Sequence, residues 1–82
     1  NFAPGYFWKG MVYLEQKNEE KASSSFLTCI EQDPEYLEAY MQLALLYMQN
    51  QPKLAHQYLN NVLQLDQKHI EALYARGMLV QE

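Results

Sequence analysis

The sequence predicts an all-α fold of antiparallel helix pairs, and three observations indicate it. Apolar residues recur at spacings of three and four, which is typical of helices with one buried face. The block Tyr6–Tyr13 recurs 34 residues later as Tyr40–Tyr47 and 33 residues after that as Leu73–Val80. No alternating strand pattern or hairpin signal separates these blocks. We therefore expect five helices, at about 4–16, 20–32, 36–49, 53–65 and 69–81.

The first repeat unit is predicted to be two helices joined by a polar turn. The first helix carries the block YFWKGMVY, and the turn QKNEEK at residues 16–21 follows it. The second helix has apolar residues at the spacing of an amphipathic helix, namely Ala22, Phe26, Cys29 and Ile30. Pro34 disfavours helix at Asp33, so this helix is expected to end there.

The second unit follows the same plan, and a fifth helix repeats its first half. The block YMQLALLY is followed by the turn QNQPK, in which Pro52 suits the opening of a helix because its missing N–H costs little there. The next helix again has amphipathic spacing, with Ala55, Leu59, Val62 and Leu63. The segment LDQKH at 65–69 then separates this unit from the last helix.

These units resemble the tetratricopeptide repeat, whose pattern is W-x2-L-G-x2-Y, then A-x3-F, then P. The first unit matches with Tyr6, Lys9, Gly10, Tyr13, Ala22, Phe26 and Pro34. The second matches with Tyr40, Leu43, Ala44, Tyr47, Ala55 and Leu59, and the half unit with Leu73, Arg76, Gly77 and Val80. The second turn is one residue short, and Gln67 stands where the first unit has Pro34.

The resemblance implies a right-handed superhelix, a TPR-like α-solenoid of about two and a half repeats in one domain, 1–82. We place repeat 1 at about 3–36, repeat 2 at about 37–69 and the terminal helix at about 70–82. The last helix is too apolar for a solenoid cap, because it carries Leu73, Tyr74, Met78, Leu79 and Val80. We therefore expect a fragment of a longer chain.

In tetratricopeptide arrays the first helix of each unit lines a concave surface that commonly binds peptides. On a helical wheel, the residues of the repeat pattern share one arc, which we expect to be core. Met41, Leu45 and Met48 share a second arc, and we expect that the core of the fold does not need these side chains. All four methionines are expected on this surface, and methionine is over-used at adaptable binding surfaces. The predicted groove consists of Phe7, Trp8, Met11, Met41, Gln42, Leu45, Met48, Gln49, Tyr74 and Met78.

The sequence thus predicts a non-enzymatic protein-binding module for an apolar peptide or helix with neutral or basic flanks. The carboxylate-clamp type of groove is excluded, because no cation stands at the matching positions and Glu71 would repel a carboxylate. The alternative is a structural or assembly element whose groove is filled by self-association or by the rest of a longer solenoid. A third hypothesis is the accessory domain of an enzyme whose catalytic part lies elsewhere.

Composition and charge exclude further classes of function. The net charge is −4 and the six Lys and Arg residues are scattered, so no basic stripe is available for nucleic acid. No apolar run reaches the roughly 18–20 residues of a membrane span. A single cysteine, Cys29, excludes an internal disulfide and is expected to be a small buried hydrophobe. His56 and His69 are expected to be ordinary surface or edge residues, so we predict no metal, cofactor or catalytic residue. We expect a soluble domain; no signal peptide is visible in this fragment, and the compartment stays open.

Overall fold

The predicted all-α fold is confirmed by the computed structural model, which describes residues 2–80 and the side chains of 2–78. Residue 81, which the sequence prediction places in the last helix, lies outside the described part. The other helix ends differ from prediction by no more than two residues. The five helices in residues 2–80 are α1 (Ala3–Glu15), α2 (Glu19–Gln32), α3 (Leu37–Tyr47), α4 (Pro52–Leu65) and α5 (Ile70–Val80).

Each helix packs against its neighbour in the chain, α1 on α2, α2 on α3, α3 on α4 and α4 on α5. Short turns connect the helices, so consecutive helices run back along one another and form a layered stack. The described chain measures 34 × 25 × 16 Å along its principal axes. The described part of the chain is therefore an all-α stack of antiparallel helix pairs, as the repeat pattern predicts.

A left-handed residue sets the sharp turn between α1 and α2. Lys17 has a φ of 61°, the conformation that usually ends a helix just beyond its C-cap. Its N–H donates to the Leu14 carbonyl at 2.9 Å, and the Asn18 N–H donates to the Tyr13 carbonyl at 2.9 Å. These two bonds make a Schellman motif. The Asn18 side chain then accepts a hydrogen bond from the Lys21 N–H at 3.2 Å and caps α2.

The two turns between units share one geometry although their sequences differ. In the first turn the Asp33 carboxylate accepts a hydrogen bond from the Glu35 N–H at 3.1 Å. In the second turn the Asp66 carboxylate accepts one from the Lys68 N–H at the same distance, 3.1 Å. The aspartate therefore fixes each turn by bonding to the backbone two residues later, and the proline of the first turn is dispensable in the second.

Two buried clusters hold the stack together. The first is formed by α1, α2 and α3 and contains Ala3, Phe7, Ala22, Phe26, Cys29, Ala39 and Leu43. The second is formed by α3, α4 and α5 and contains Met41, Ala44, Leu59, Val62, Leu63, Ala72 and Ala75. Tyr58 is partly buried and packs against both clusters, which joins them into a continuous interior.

Burial confirms one side-chain prediction and corrects another. Cys29 is fully buried, as its apolar surroundings in the sequence indicate. The expectation that the core does not need the Met41 side chain is wrong, because Met41 is a buried member of the second cluster. The wheel assigned only one arc of α3 to the core, whereas α3 lies between α2 and α4 and is buried on two sides.

Candidate functional site

An open cleft of about 250 Å³ lies where the end of α1 and the start of α2 meet α3. Its lining residues belong to these three helices and to the turn after α3. They are Leu14, Glu19, Gln42, Leu45, Leu46, Gln49 and Asn50. The cleft therefore combines leucine side chains with amides and a single carboxylate.

The α3 side of the cleft is a stripe one helical face wide. Gln42, Leu45, Leu46 and Gln49 are spaced i, i+3, i+4 and i+7, which brings them to one side of the helix and its following turn. The fully buried Leu43 lies on another side of α3 and belongs to the first cluster. Burial of Leu43 fixes the rotation of α3, and this rotation presents the stripe to solvent.

The other wall of the cleft depends on the turn between α1 and α2. Leu14 is half-buried and packs against the first cluster. It also accepts the hydrogen bond from Lys17 in the Schellman motif, so the end of α1 is held at this point. Glu19, the first residue of α2, completes the wall.

The lining chemistry is suited to binding a peptide. The Leu45 side chain is 49% exposed and offers apolar area that the core does not use. Gln42 and Gln49 lie one turn before and after it, and each amide carries both donors and an acceptor for a peptide backbone. Apolar area flanked by a few polar groups is typical of sites that bind a ligand by burial and orient it by hydrogen bonds.

The ten residues of the predicted groove do not form one surface. Gln42, Leu45 and Gln49 line the cleft. Phe7 and Met41 are buried in the two clusters and offer little area to a ligand. A ligand therefore cannot contact the side chains of Phe7 and Met41 directly in this structure.

The remaining members of that set occupy several environments. Met11 is half-buried against the first cluster and Met48 against the second. Trp8 is exposed, with its ring centroid 5.6 Å from that of Phe7 in an edge-to-face contact. Tyr74 and Met78 are exposed on α5. The four methionines thus lie in two clusters and on α5 rather than on a single face.

Sequence reasoning missed part of the cleft lining. The spacing of Leu46 from Gln42 and Gln49 was a sufficient signal for that residue, because all three share one helical stripe. Glu19 is the first residue of α2 and Asn50 lies in the turn after α3, and no motif or periodicity marks either residue as part of a cleft.

Tyrosine rings pack beside α4 and serve the fold. The Tyr47 and Tyr58 rings are stacked with centroids 5.9 Å apart, and the Tyr40 ring lies 6.3 Å from Tyr58. The Tyr40 hydroxyl donates a hydrogen bond to the Pro34 carbonyl at 2.8 Å. Burial raises the pKa of Tyr58, and the neighbouring Tyr47 and Tyr40 raise it further. The Tyr58 hydroxyl therefore stays protonated at neutral pH, which suits a packing role.

The cysteine and histidines also have local structural roles. Burial raises the pKa of the Cys29 thiol, and the nearby Asp33 and Glu38 carboxylates raise it further. A protonated, buried thiol is a poor nucleophile. His69 caps α5, because its Nδ1 accepts a hydrogen bond from the Ala72 N–H at 3.1 Å. His56 Nδ1 lies 3.3 Å from the Asn60 side-chain nitrogen.

Within residues 2–80, no group of three or more His, Cys, Asp or Glu side chains is arranged to hold a metal ion. None of the helices in that range has the length and apolar character needed to span a bilayer.

Comparison with known families identifies the repeat. Residues 3–36 match the family model described as tetratricopeptide repeat. The matched segment contains α1, α2 and the turn after α2, so this part of the chain forms a tetratricopeptide repeat. Such repeats generally mediate protein–protein interaction and are typically non-catalytic. A search of curated proteins found no match.

Proposed function

We propose that this chain is a non-catalytic protein-binding module that holds an apolar peptide or helix in the cleft between α1 and α3. The observation that supports the proposal most is the position of Leu45, which is 49% exposed in the middle of the cleft between two glutamines. The exposed leucine can bury apolar area of a ligand, and the flanking hydrogen-bonding groups can fix the ligand's orientation.

The half-buried methionines extend the proposed surface. Met48 follows Leu45 by three residues, slightly less than one helical turn, and Met11 precedes Leu14 by the same spacing. Both can change rotamer at small cost because the methionine side chain is unbranched. Phe7 and Met41 support the shape of the site from within the core. The proposed Met-rich groove therefore has Met11 and Met48 at its margins and leucines at its centre.

The negative charge of the cleft and of the chain favours some apolar ligands over others. The cleft lining contains the carboxylate of Glu19. The whole chain has a formal charge of −4. Exposed charges interact weakly and are screened by salt, so they steer a ligand more than they hold it. We infer that the preferred ligand is an apolar segment with neutral or basic flanks.

A fluorescence polarisation titration tests this function with two labelled, end-blocked peptides of about 15 residues, a length at which isolated helices are marginal in water. Both carry the same leucine-rich centre, and one has lysine flanks where the other has glutamate flanks. We expect saturable binding of the lysine-flanked peptide and weaker binding of its glutamate-flanked counterpart, with the difference shrinking at high salt.

Paired variants locate the binding surface. Leu45→Glu places a carboxylate at the centre of the cleft, and we expect it to weaken binding about tenfold or more, or about 1.4 kcal/mol. Leu27→Glu is the matched control, because Leu27 is 37% exposed on α2 and is not in the cleft lining. Equal affinities for both variants, with helical circular dichroism intact, would reject the cleft as the binding site.

A further inference from the structure

A polar pocket of about 220 Å³ lies between α1 and α2. Its lining consists of lysine and hydroxyl-bearing side chains from both helices, namely Tyr6, Lys9, Tyr13, Lys21, Ser24, Ser25 and Thr28. None of these residues is among those that line the cleft between α1 and α3, so the two sites can be tested separately. The described lining of the pocket contains two cations and no carboxylate, although the whole chain has a formal charge of −4.

The fold brings together two lysines that lack a carboxylate partner. Lys9 belongs to α1 and Lys21 to α2. Within residues 2–80, neither ammonium group has a carboxylate within ion-pair distance. The Lys21 ammonium lies 5.8 Å from the centroid of the Tyr13 ring, a cation–π contact that holds this ammonium beside the pocket. The positive charge of the pocket is therefore available to an anion.

One hydroxyl of the pocket belongs to a buried side chain. Ser25 is only 8% exposed, and its hydroxyl forms no hydrogen bond with another residue that the structure describes. No side-chain oxygen in the described part of the chain is both fully enclosed and unbonded, so the remaining exposure of Ser25 includes its Oγ. Because Ser25 lines the pocket, its Oγ faces this space. Buried hydroxyls are normally bonded, and a ligand in the pocket would supply the missing partner.

Three more hydroxyl groups of the pocket are free to bind a ligand. The hydroxyls of Tyr6, Tyr13 and Ser24 form no hydrogen bond within the described range 2–80. The Thr28 hydroxyl differs, because it donates to the Ser24 carbonyl at 3.0 Å. A serine or tyrosine hydroxyl can donate one hydrogen bond, and a lysine ammonium can donate three. The pocket is thus bordered by donors from two helices.

The second unit has apolar or aromatic residues at two of these positions. Lys9 corresponds to Leu43 in the repeated blocks, and Ser25 corresponds to Tyr58 in the second helices. Leu43 is fully buried, and Tyr58 packs against both clusters. An apolar segment packed in this way on the first unit would bury the Lys9 charge and leave the Ser25 hydroxyl unbonded, and both are costly. A group that lies against the pocket must therefore carry negative charge.

We propose that this pocket binds a phosphoryl group, either as free phosphate or as a phosphate monoester. A phosphoryl group carries about two negative charges and three strong acceptor oxygens, which matches two ammonium groups and several hydroxyl donors. A carboxylate has one charge and two oxygens, so it satisfies fewer of these donors. Lys9 and Lys21 supply the opposite charge, and the Ser25 hydroxyl donates from the buried side of the pocket.

An NMR titration of the 82-residue chain with inorganic phosphate tests the site, with acetate at matched ionic strength as the comparison. We expect phosphate to shift the backbone amide resonances of Lys9, Lys21 and Ser25 saturably. We expect acetate to bind about tenfold more weakly or less, because it makes fewer charge-assisted hydrogen bonds.

A titration with an end-blocked phosphoserine identifies the source of the phosphoryl group. Tighter binding of this monoester than of inorganic phosphate would assign the pocket to a phosphorylated side chain of a protein. Equal or weaker binding would assign it to free phosphate. Both results support a phosphoryl site.

A pair of lysine variants locates the bound anion. Lys9→Met removes the charge and keeps an unbranched side chain, and we expect it to weaken phosphate binding about tenfold. Lys53→Met is the matched control, because it changes the net charge equally but Lys53 lines a different pocket at the start of α4. We expect this control to bind phosphate nearly as well as the unaltered chain.

Ser25→Ala separates binding from a structural role. The substitution breaks no hydrogen bond to a described residue, so we expect urea unfolding without phosphate to show no loss of stability. We expect phosphate to bind this variant about tenfold more weakly, because the bond to a charged ligand is lost. Phosphate should therefore stabilise the unaltered chain against urea more than it stabilises Ser25→Ala.

Several outcomes would overturn the proposal. It fails if phosphate causes no saturable shifts at the pocket, or if Lys9→Met binds phosphate as tightly as Lys53→Met does. Acetate that binds as tightly as phosphate would assign the pocket to a carboxylate, including one from elsewhere in a longer form of this protein. A Ser25→Ala protein that loses stability but keeps its phosphate affinity would show that the hydroxyl serves the fold and not a ligand.

Discussion

Gly10 is the residue at which side-chain size matters most directly. The Phe26 ring packs against its backbone, and a Cβ there would lie 2.7 Å from the ring. Phe26 is fully buried and has little freedom to move. Glycine is therefore required in α1 although glycine is a poor helix former.

Gly10→Ala is expected to lower the free energy of unfolding by about 1–2 kcal/mol, because overpacking a core outweighs the gain in helix propensity. Gly5→Ala is the control, and we expect it to raise that free energy by about 0.5–1 kcal/mol, because nothing near Gly5 opposes the added methyl group. Urea unfolding measures both values. A Gly10→Ala protein as stable as Gly5→Ala would contradict the packing described.

The sequence predicted the small residue at this position but not the burial of Met41. The repeat pattern itself marks Gly10 as a site of close approach. Burial of Met41 depends on α4 and α5 closing over α3, and helical periodicity describes one helix at a time. Individual site residues were therefore predictable only where a motif already encoded a contact between helices.

At the scale of elements, the α1–α2 turn carries a conformational cost. Lys17 adopts a φ of 61°. A left-handed conformation costs a non-glycine residue roughly 1–2 kcal/mol. The hydrogen bonds of the Schellman motif and the Asn18 cap maintain the left-handed conformation of Lys17. The α1–α2 turn thereby determines where Leu14 and Glu19 lie in the cleft.

Lys17→Gly is expected to raise the free energy of unfolding by about 0.5–1 kcal/mol, since glycine adopts positive φ without steric cost and loses part of the gain to its greater freedom when unfolded. Gln16→Gly is the control, because Gln16 has a φ of −82° and gains nothing from glycine. Thermal or urea unfolding measures the free energy of unfolding of both variants. Stabilisation by Gln16→Gly and none by Lys17→Gly would contradict the turn geometry.

Helix positions followed from the sequence because three kinds of signal agreed. Amphipathic spacing gave each helix its extent, Pro34 and Pro52 marked boundaries, and the repeat offset placed equivalent helices. The left-handed Lys17 was not predictable, because lysine carries no preference for that conformation. Nor did the sequence distinguish which stripe of α5 would contact α4, since the helix is apolar on more than one side.

At the scale of the whole molecule, buried hydroxyl and thiol groups link stability to pH. Burial, followed by nearby carboxylates, raises the pKa of Cys29 above its ordinary 9.0. Burial likewise raises the pKa values of Tyr36, Tyr40 and Tyr58 above 10.0. The unfolded chain loses these protons at lower pH than the folded chain does.

Below pH 9.0 these groups are therefore expected to add no pH dependence to the free energy of unfolding. That free energy is expected to fall as pH rises through their folded-state pKa values. Urea unfolding at several alkaline pH values measures the decline. Tyr58→Phe removes one of the titrating groups but keeps the ring, so we expect a shallower decline. Stability that rises with alkaline pH would contradict the burial of these groups.

The stacked architecture was the most predictable property of the molecule, and its binding surfaces were the least. A 34-residue offset between matching blocks is enough to predict a solenoid, because each unit must bury its apolar faces against the next. The cleft between α1 and α3 depends on how far these two helices separate, and one of its lining residues, Asn50, comes from a turn. Such distances are set by packing across units.

Protein binding in the cleft is the central functional claim, and one affinity ratio tests it most directly. The measurement is the Kd of the lysine-flanked, leucine-rich peptide for Leu45→Glu divided by that for Leu27→Glu. We predict a ratio of about ten or more, since only the first substitution places a charge against the bound apolar segment. A ratio of one, with both variants folded, would contradict the assignment of this cleft as the binding site.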